Sequence, residues 1–177
     1  MGTTIRSMTA RSDSEDQERQ LAFQRVVTPE IPRLYRLAIA IVNDSFEAED
    51  AVQETMLIAW RKWSSLQGYE NQPAWLTRVC VRECLRTRRS LRRRVTGIPG
   101  GALPEAPDPH FALDGGMLDL HRAYNALSPS QRAMVTLHLH DGLTVDECAR
   151  IIGCRPGTAR SHLGRAVAKL RRELDHA

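Results

Sequence analysis

The chain has 177 residues, a formal net charge of +4 and 42% hydrophobic residues, which allows one domain or two small ones. No apolar run approaches the roughly 20 residues that a membrane-spanning helix needs, and the start lacks a signal-peptide core, so we expect a cytoplasmic protein. Basic residues concentrate in 78–94 and 155–172 and acidic residues in 44–54, which suggests two nucleic-acid surfaces and a separate protein-binding surface. The cysteines form no CxxC pair, so we expect buried thiols, no metal site and no cofactor.

The first half of the chain shows helical periodicity after a polar start. Residues 1–20 have no apolar pattern and are expected to form a disordered tail. Between 29 and 42 the apolar residues fall on one helical face, and a second helix is expected from 45 to 63 after a cap at Asp44. A third begins near Pro73 and continues to about 94. Since no strand pattern occurs, we predict an all-α domain over 21–95.

The helix at 45–63 has an acidic outward face. Asp50, Gln53, Glu54 and Leu57 are spaced at i, i+3, i+4 and i+7, which places them on one side. A charged helix face is most often a solvated surface. An exposed leucine between carboxylates and an amide also suits docking of a basic partner helix, and the spacing leaves both interpretations open.

The third helix carries arginines spaced by three and four residues, a stripe that can follow a phosphate backbone. Its members are Arg78, Arg82, Arg86, Arg89 and Arg93. The loop before it contributes Tyr69, Glu70, Asn71 and Trp75. Aromatic rings beside cations can capture single-stranded nucleic acid, because bases stack on rings while arginines hold phosphates. The alternative is that Tyr69 and Trp75 are core residues.

Residues 96–116 are rich in proline and glycine and predict a flexible linker. This linker divides the chain into two small helical domains, 21–95 and 117–177. In the second domain, Ser128 and Gln131 predict a capped helix that ends near Gly142.

Residues 144–170 predict a helix-turn-helix. Thr144 and Glu147 can form a capping box, Gly153 suits the turn, and Pro156 suits the first turn of the second helix. The polar side of that second helix carries Thr158, Ser161, His162, Arg165 and Lys169. A helix that buries one side and presents donors on the other fits a DNA major groove. The alternative is a solvated helix of an ordinary bundle.

The order of these parts resembles a known family. The segments AEDAVQETMLIAW (48–60) and QPAWLTRVCVRECLRTRRS (72–90), a linker, and the segment from 126 to 174 are similar to an extracytoplasmic-function sigma factor of the sigma-70 family. Such proteins are the promoter-specificity subunits of bacterial RNA polymerase. The resemblance implies that residues 21–95 correspond to region 2 and residues 117–174 to region 4.

The resemblance also implies roles for individual residues. Asp50, Gln53, Glu54 and Leu57 match the surface that meets the clamp helices of the polymerase β′ subunit, while region 4 meets the β flap. The loop 68–75, with Tyr69, Glu70, Asn71 and Trp75, matches the part that captures an unpaired minus-ten base, above Arg78, Arg82 and Arg86. The helix that reads the double-stranded minus-thirty-five element is matched by Arg155, Thr158, Arg160, Ser161, His162, Arg165 and Lys169. An anti-sigma factor is a further possible partner. The sequence departs from the family at His162, where arginine is frequent, and in the loop GYENQPAW.

Two other classes of protein were weighed. A transcriptional activator with a LuxR-like C-terminal domain would fit residues 142–163, but it requires an N-terminal receiver or ligand domain with strands. An enzyme acting on nucleic acid requires metal-binding carboxylates, and the sequence has no such constellation, no P-loop and no nucleophile elbow. We therefore expect a protein without catalytic activity.

Overall fold

The computed structural model describes residues 16–95 and 122–175, with side chains in the third long helix described as far as Arg86. The N-terminal half contains α1 (16–27), a 3-10 turn at Thr28–Glu30, α2 (Ile31–Val42), α3 (Ser45–Arg61), α4 (Trp63–Leu66) and α5 (Gln72–Val95). The C-terminal half contains α6 (122–125), α7 (Pro129–Val135), a π-helical turn (Thr136–His140), α8 (Val145–Ile152) and α9 (Pro156–Leu174). The described part of the chain contains helices and no strand, which confirms the all-α prediction. The expected linker at 96–116 lies outside the described residues.

Helix α1 was not predicted, since the first helix expected from the sequence lies between residues 29 and 42 and corresponds to α2. Residues 16–20 are helical, so the tail expected to end at residue 20 is too long by these five positions. Phe23 packs edge-on against Trp60 and Trp63, with ring centroids 5.1 and 5.3 Å apart. The guanidinium carbon of Arg19 lies 4.8 Å from the Trp60 ring centroid. A cation–π contact thus stabilises the first turns of α1. The sequence of these turns has no apolar pattern from which a helix could be predicted.

Helices α2, α3 and α5 form the core of the N-terminal domain. The apolar face predicted for α2 is buried at every position, namely Leu34, Leu37, Ala38, Ile41 and Val42. It packs against α3 and α5, where Cys80 and Cys84 are free and buried as expected. Asn43, in the left-handed conformation, ends α2, and the Asp44 carboxylate accepts a hydrogen bond from the Glu47 N–H at 2.9 Å to begin α3. Local capping therefore fixes the angle between α2 and the acidic helix.

The helix-turn-helix is formed by α8 and α9, as predicted. Thr144 and Glu147 make both hydrogen bonds of the capping box at the start of α8. Gly153 ends this helix with a φ of +79°, a conformation that a residue with a Cβ adopts only at a cost. Pro156 then occupies the first turn of α9, where its missing N–H leaves no hydrogen bond unmade.

The two domains share one continuous core, which the sequence did not predict. Buried residues of α7 and α8, among them Met134, Leu137 and Ala149, belong to the same apolar cluster as Leu34 and Leu76. Helices α2 and α5 pack against α7 and α8, and an open cavity of about 570 Å³ remains between α2 and the π-helical turn. We call this contact the interdomain seam. The structure thus holds together two domains that we expected to contact DNA separately.

Candidate nucleic-acid and polymerase interfaces

The acidic face of α3 is exposed, as the spacing predicted. Asp50 and Gln53 are exposed, and Leu57 is 53% exposed. Glu54 is partly engaged, because its Oε1 lies 3.1 Å from Nη2 of Arg61. Arg61 also donates a hydrogen bond from Nε to the Leu57 carbonyl at 3.2 Å. Charge at this face is therefore concentrated on Asp50, while the ion pair screens Glu54.

Phe46 adds an apolar residue to the same face. Its side chain is 73% exposed, and it lies four residues before Asp50 and seven before Gln53, a spacing that places all three on one side of a helix. Phe46 stands outside the set predicted from the sequence, because that set was chosen from the charged positions, although the spacing of Phe46 alone would have identified it. The face of α3 thus has aromatic, acidic, amide and aliphatic groups in line.

The loop before α5 is ordered by hydrogen bonds. Oδ1 of Asn71 accepts from the Ala74 N–H at 2.9 Å and so caps α5, while Nε2 of Gln72 donates to the Leu66 carbonyl at 3.3 Å. Capping engages the side-chain oxygen of Asn71, a residue that the family resemblance places in the base-capturing loop. Its amide nitrogen is the group that can still donate to a base.

Two rings lie together above this cap. The Tyr69 and Trp75 centroids are 6.4 Å apart with an interplanar angle of 54°. Tyr69 is 49% exposed, while Trp75 is half-buried against the core. Glu70 is exposed beside them. The alternative that these rings are core residues therefore applies in part to Trp75. Tyr69 presents its ring to solvent and can stack on a base.

The arginines of α5 differ in their surroundings. Arg78 is half-buried, and Arg82 and Arg86 are exposed. Nε of Arg86 is paired with Oε2 of Glu83 at 2.5 Å. Nε of Arg82 lies 3.8 Å from the position that a Cβ on Gly153 would take, so the α5 stripe meets the helix-turn-helix at the interdomain seam. Arg89 and Arg93 lie outside the residues whose side chains are described.

The polar side of α9 is exposed along most of its first three turns. The exposed members of the predicted set are Arg155, Thr158, Arg160, Ser161 and Arg165. Ser161 donates to the Gly157 carbonyl at 3.0 Å, and Arg160 lies 3.4 Å from the Asp146 carboxylate. Contacts of this kind at a solvated surface are weak, so these side chains are able to exchange them for a ligand.

Lys169 and His162 differ from this pattern. Nζ of Lys169 donates a hydrogen bond to the Ala126 carbonyl, so this lysine, which we expected on a DNA phosphate, ties α9 to α6 instead. Its flexible stem reaches around the helix to an unpaired backbone oxygen.

His162 is half-buried, and burial, followed by the charge of Arg165, lowers its pKa. The imidazole is therefore neutral at physiological pH.

Within the described ranges no group of three or more His, Cys, Asp or Glu side chains could hold a metal ion. In the same ranges, no helix has the length and apolar character needed to cross a membrane. His138 and His140 are each engaged locally, with Nδ1 at 2.6 Å from the Leu143 carbonyl and 2.8 Å from the Asp141 carboxylate respectively.

Two family models match this chain. Residues 26–94 match sigma-70 region 2, and residues 117–170 match sigma-70 region 4. The RNA polymerase sigma-E factor of Streptomyces coelicolor is 30% identical over 155 residues, which cover 87% of this chain and 86% of that protein. The ECF RNA polymerase sigma factor SigM of Mycobacterium tuberculosis is also 30% identical over 155 residues, covering 88% and 78%. The chain belongs to the extracytoplasmic-function (ECF) group of the sigma-70 family.

Solved structures support the same family for this ECF sigma factor. The sigma factor RpoE from Bartonella quintana, solved in complex with the anti-sigma factor NepR, matches with a TM-score of 0.67 and 30% identity over 87% of this chain and 97% of that one. CnrH, solved in complex with the cytosolic domain of CnrY, has a TM-score of 0.55 and 23% identity, covering 89% and 90%, which supports the fold alone. Since helices α2–α5 match region 2, the N-terminal receiver that a LuxR-like activator requires is not what these residues form.

Proposed function

We propose that this sigma factor binds core RNA polymerase through α3 and promoter DNA through two separate surfaces. The loop before α5 takes the single-stranded minus-ten element, and α9 takes the double-stranded minus-thirty-five element. The observation that carries the proposal is the exposed Tyr69 ring packed beside Trp75, at the start of the helix that carries Arg78, Arg82 and Arg86. This arrangement is suited to an unpaired base. The protein supplies specificity to the polymerase, acts in the cytoplasm and has no catalytic activity of its own.

The polymerase contact is assigned to the face of α3 formed by Phe46, Asp50, Gln53 and Leu57, with Glu54 at its edge. An exposed Phe and Leu provide apolar area for an interface centre, and the carboxylates favour a basic partner. The resemblance to the family implies that this partner is the clamp helices of the β′ subunit. It likewise implies that region 4 meets the β flap.

The minus-ten contact is divided between rings and cations. Tyr69 stacks on the captured base, Trp75 supports Tyr69 from the core side, and the Asn71 amide nitrogen donates to a base edge. Glu70, at the exposed rim of the loop, lies beside the captured base. Arg78, Arg82 and Arg86 hold the backbone of the strand, so that phosphate contacts position it while the loop specifies the base.

The minus-thirty-five contact is made by α9. Thr158, Ser161, His162 and Arg165 face base edges in the major groove, and Arg155 and Arg160 face phosphates. Lys169 is left out of this set because its ammonium group is held by the Ala126 carbonyl. A neutral His162 gives a hydrogen bond or a stacking contact where an arginine would add charge and a fork of donors.

An anti-sigma factor is proposed as a further partner. The support is that the sigma factor RpoE from Bartonella quintana, which is similar in structure to this chain, was solved with the anti-sigma factor NepR bound.

The proposal is tested by reconstitution with bacterial core RNA polymerase. Genomic DNA fragments are transcribed by core polymerase alone, by core with this chain, and by core with a Tyr69→Ala, Arg165→Ala double variant. We expect run-off transcripts from a defined set of fragments only with the unmodified chain, sharing two sequence elements upstream of the start. If the chain does not bind core polymerase, or if the transcripts are the same without it, the proposed function is wrong.

A further inference from the structure

Arg33 links α2 to the first turn of α5. Its Nη2 donates hydrogen bonds to Oγ1 of Thr77 at 2.9 Å and to the Pro73 carbonyl at 3.3 Å. Its Nε donates to Oε2 of Glu30 at 2.7 Å. One guanidinium therefore joins the start of α2 to two groups on α5 that are far away in sequence.

The hydrogen bonds of this network are mutually consistent. The single hydroxyl hydrogen of Thr77 donates to the Pro73 carbonyl at 2.9 Å, which leaves its lone pairs to accept from Arg33. Thr77 is only 6% exposed, so without Arg33 its oxygen would lose a charged donor and keep only the hydrogen bond to Pro73. The network fixes the rotation of the first turn of α5 relative to α2.

The fixed turn belongs to the minus-ten surface. Trp75 lies between Pro73 and Thr77, and its backbone N–H donates to the Asn71 carbonyl at 3.2 Å. Asn71 in turn caps the helix through Ala74. Any rotation of this turn therefore moves the Trp75 ring, the Tyr69 ring that packs on it and the Asn71 amide together.

The apolar core between α2 and α5 does not depend on this network. Leu34, Leu37 and Ala38 pack with Leu76 and Cys80 in the interior, whereas the Arg33 side chain is 40% exposed at the rim. Rim hydrogen bonds add little to overall stability. Their consequence is geometric, since they select one orientation of the loop among those that the core would permit.

We propose that Arg33 is a positioning residue for capture of the unpaired minus-ten base. It holds the loop in a binding orientation before DNA arrives, which avoids the ordering cost that a loose loop would add on binding. Its Nε and Nη2 groups are used by Glu30, Thr77 and Pro73, so in this proposal it acts by orienting Trp75 and Asn71. This inference depends on the proposed function.

The test uses the holoenzyme assembled from core polymerase and the full chain. Arg33→Ala removes the link, and Thr77→Val removes only the hydroxyl while keeping the side-chain volume. Arg36→Ala is the matched control, because Arg36 is an exposed arginine on the same helix. The probe is a single-stranded DNA 12-mer selected on the unmodified holoenzyme from a randomised pool, together with the same 12-mer made abasic at the captured position.

We expect Arg33→Ala to lower affinity for the selected 12-mer by about tenfold and Thr77→Val by several-fold, because each leaves part of the network unpaired. Arg36→Ala should bind as the unmodified protein does. Arg33→Lys should restore little, since an ammonium group lacks the fork that spans Glu30 and Thr77. Affinity for the abasic 12-mer and for core polymerase should be the same for all variants.

Equal affinity of the unmodified, Arg33→Ala and Thr77→Val holoenzymes for the selected 12-mer would overturn the inference. Parallel losses on the abasic 12-mer and on core polymerase would also overturn it, since they would indicate a general folding role. If the unmodified holoenzyme selects no 12-mer, the proposed function itself fails. That outcome is distinct, because it appears before any variant is compared.

Discussion

Replacing Phe46 with alanine should weaken binding to core polymerase while leaving the fold intact. Complete burial of a phenylalanine side chain contributes about 1.5–3 kcal/mol, and Phe46 is 73% exposed in this structure. An interface that covers it therefore gains about 1–2 kcal/mol, which corresponds to about five- to thirtyfold in affinity. Alanine is also the better helix former, so the stability of α3 should not fall.

The assay is competition with labelled unmodified chain for a limiting amount of core polymerase. Leu57→Ala, on the same face, should show a loss of similar size, and Asp50→Arg should show a larger one. Leu21→Ala is the matched control, because Leu21 is 47% exposed on α1 and off this face. If Phe46→Ala competes as well as the unmodified chain while Leu57→Ala does not, Phe46 lies outside the interface. If neither change weakens binding, α3 is not the docking helix.

Three further outcomes are expected. Arg165→Ala should lose about 1–3 kcal/mol of discrimination between bases at one or two minus-thirty-five positions. Arg155→Ala should instead lower the affinity for all duplexes alike and reduce the salt dependence of binding by about one unit of slope. Titration of duplexes with single-base changes separates the two effects. Lys169→Ala should lower the melting temperature and leave the salt dependence of DNA binding unchanged, because the ammonium group is held by the Ala126 carbonyl. A reduced salt dependence would indicate that Lys169 contacts DNA. Hydrogen bonds from the Thr144 hydroxyl and backbone N–H lower the pKa of Glu147. Its carboxylate therefore stabilises the fold at pH values above the ordinary glutamate pKa, and this stabilisation is lost as the pH falls through the lowered pKa. Denaturation curves at several pH values should show less of this acid dependence for Thr144→Ala than for the unmodified chain.

Local patterns in the sequence were sufficient for the main helices of each domain, although not for α1. The buried face of α2, the cap at Asp44 and the capping box at Thr144 each depend on residues a few positions apart, and all are present. Such features are set by backbone geometry and helical periodicity, which a sequence displays directly. The helix-turn-helix followed from the same signals, with Gly153 supplying the left-handed turn.

Side chains that act over longer distances were harder to place. Lys169 has the spacing of the DNA-facing set, but its long stem reaches a carbonyl on another helix. Arg19 stabilises α1 by lying over Trp60, a contact between residues 41 positions apart. Arg33 reaches Thr77 across a similar separation. Periodicity assigns a residue to a face of its own helix, and it carries no information about which other helix a flexible cation will meet.

The interdomain seam could not be predicted for a related reason. Its surfaces use small and medium side chains such as Ala133, Ala149 and Met134, which are buried in this structure but would suit the interior of either domain alone. Whether two apolar faces meet depends on their complementary shape, and each domain's periodicity is satisfied without the other. At this contact Nε of Arg82, in the α5 stripe, lies 3.8 Å from the position that a Cβ on Gly153 would take in the turn of the helix-turn-helix. Residues from two separately patterned segments thus become neighbours through a contact that no local pattern of either domain encodes.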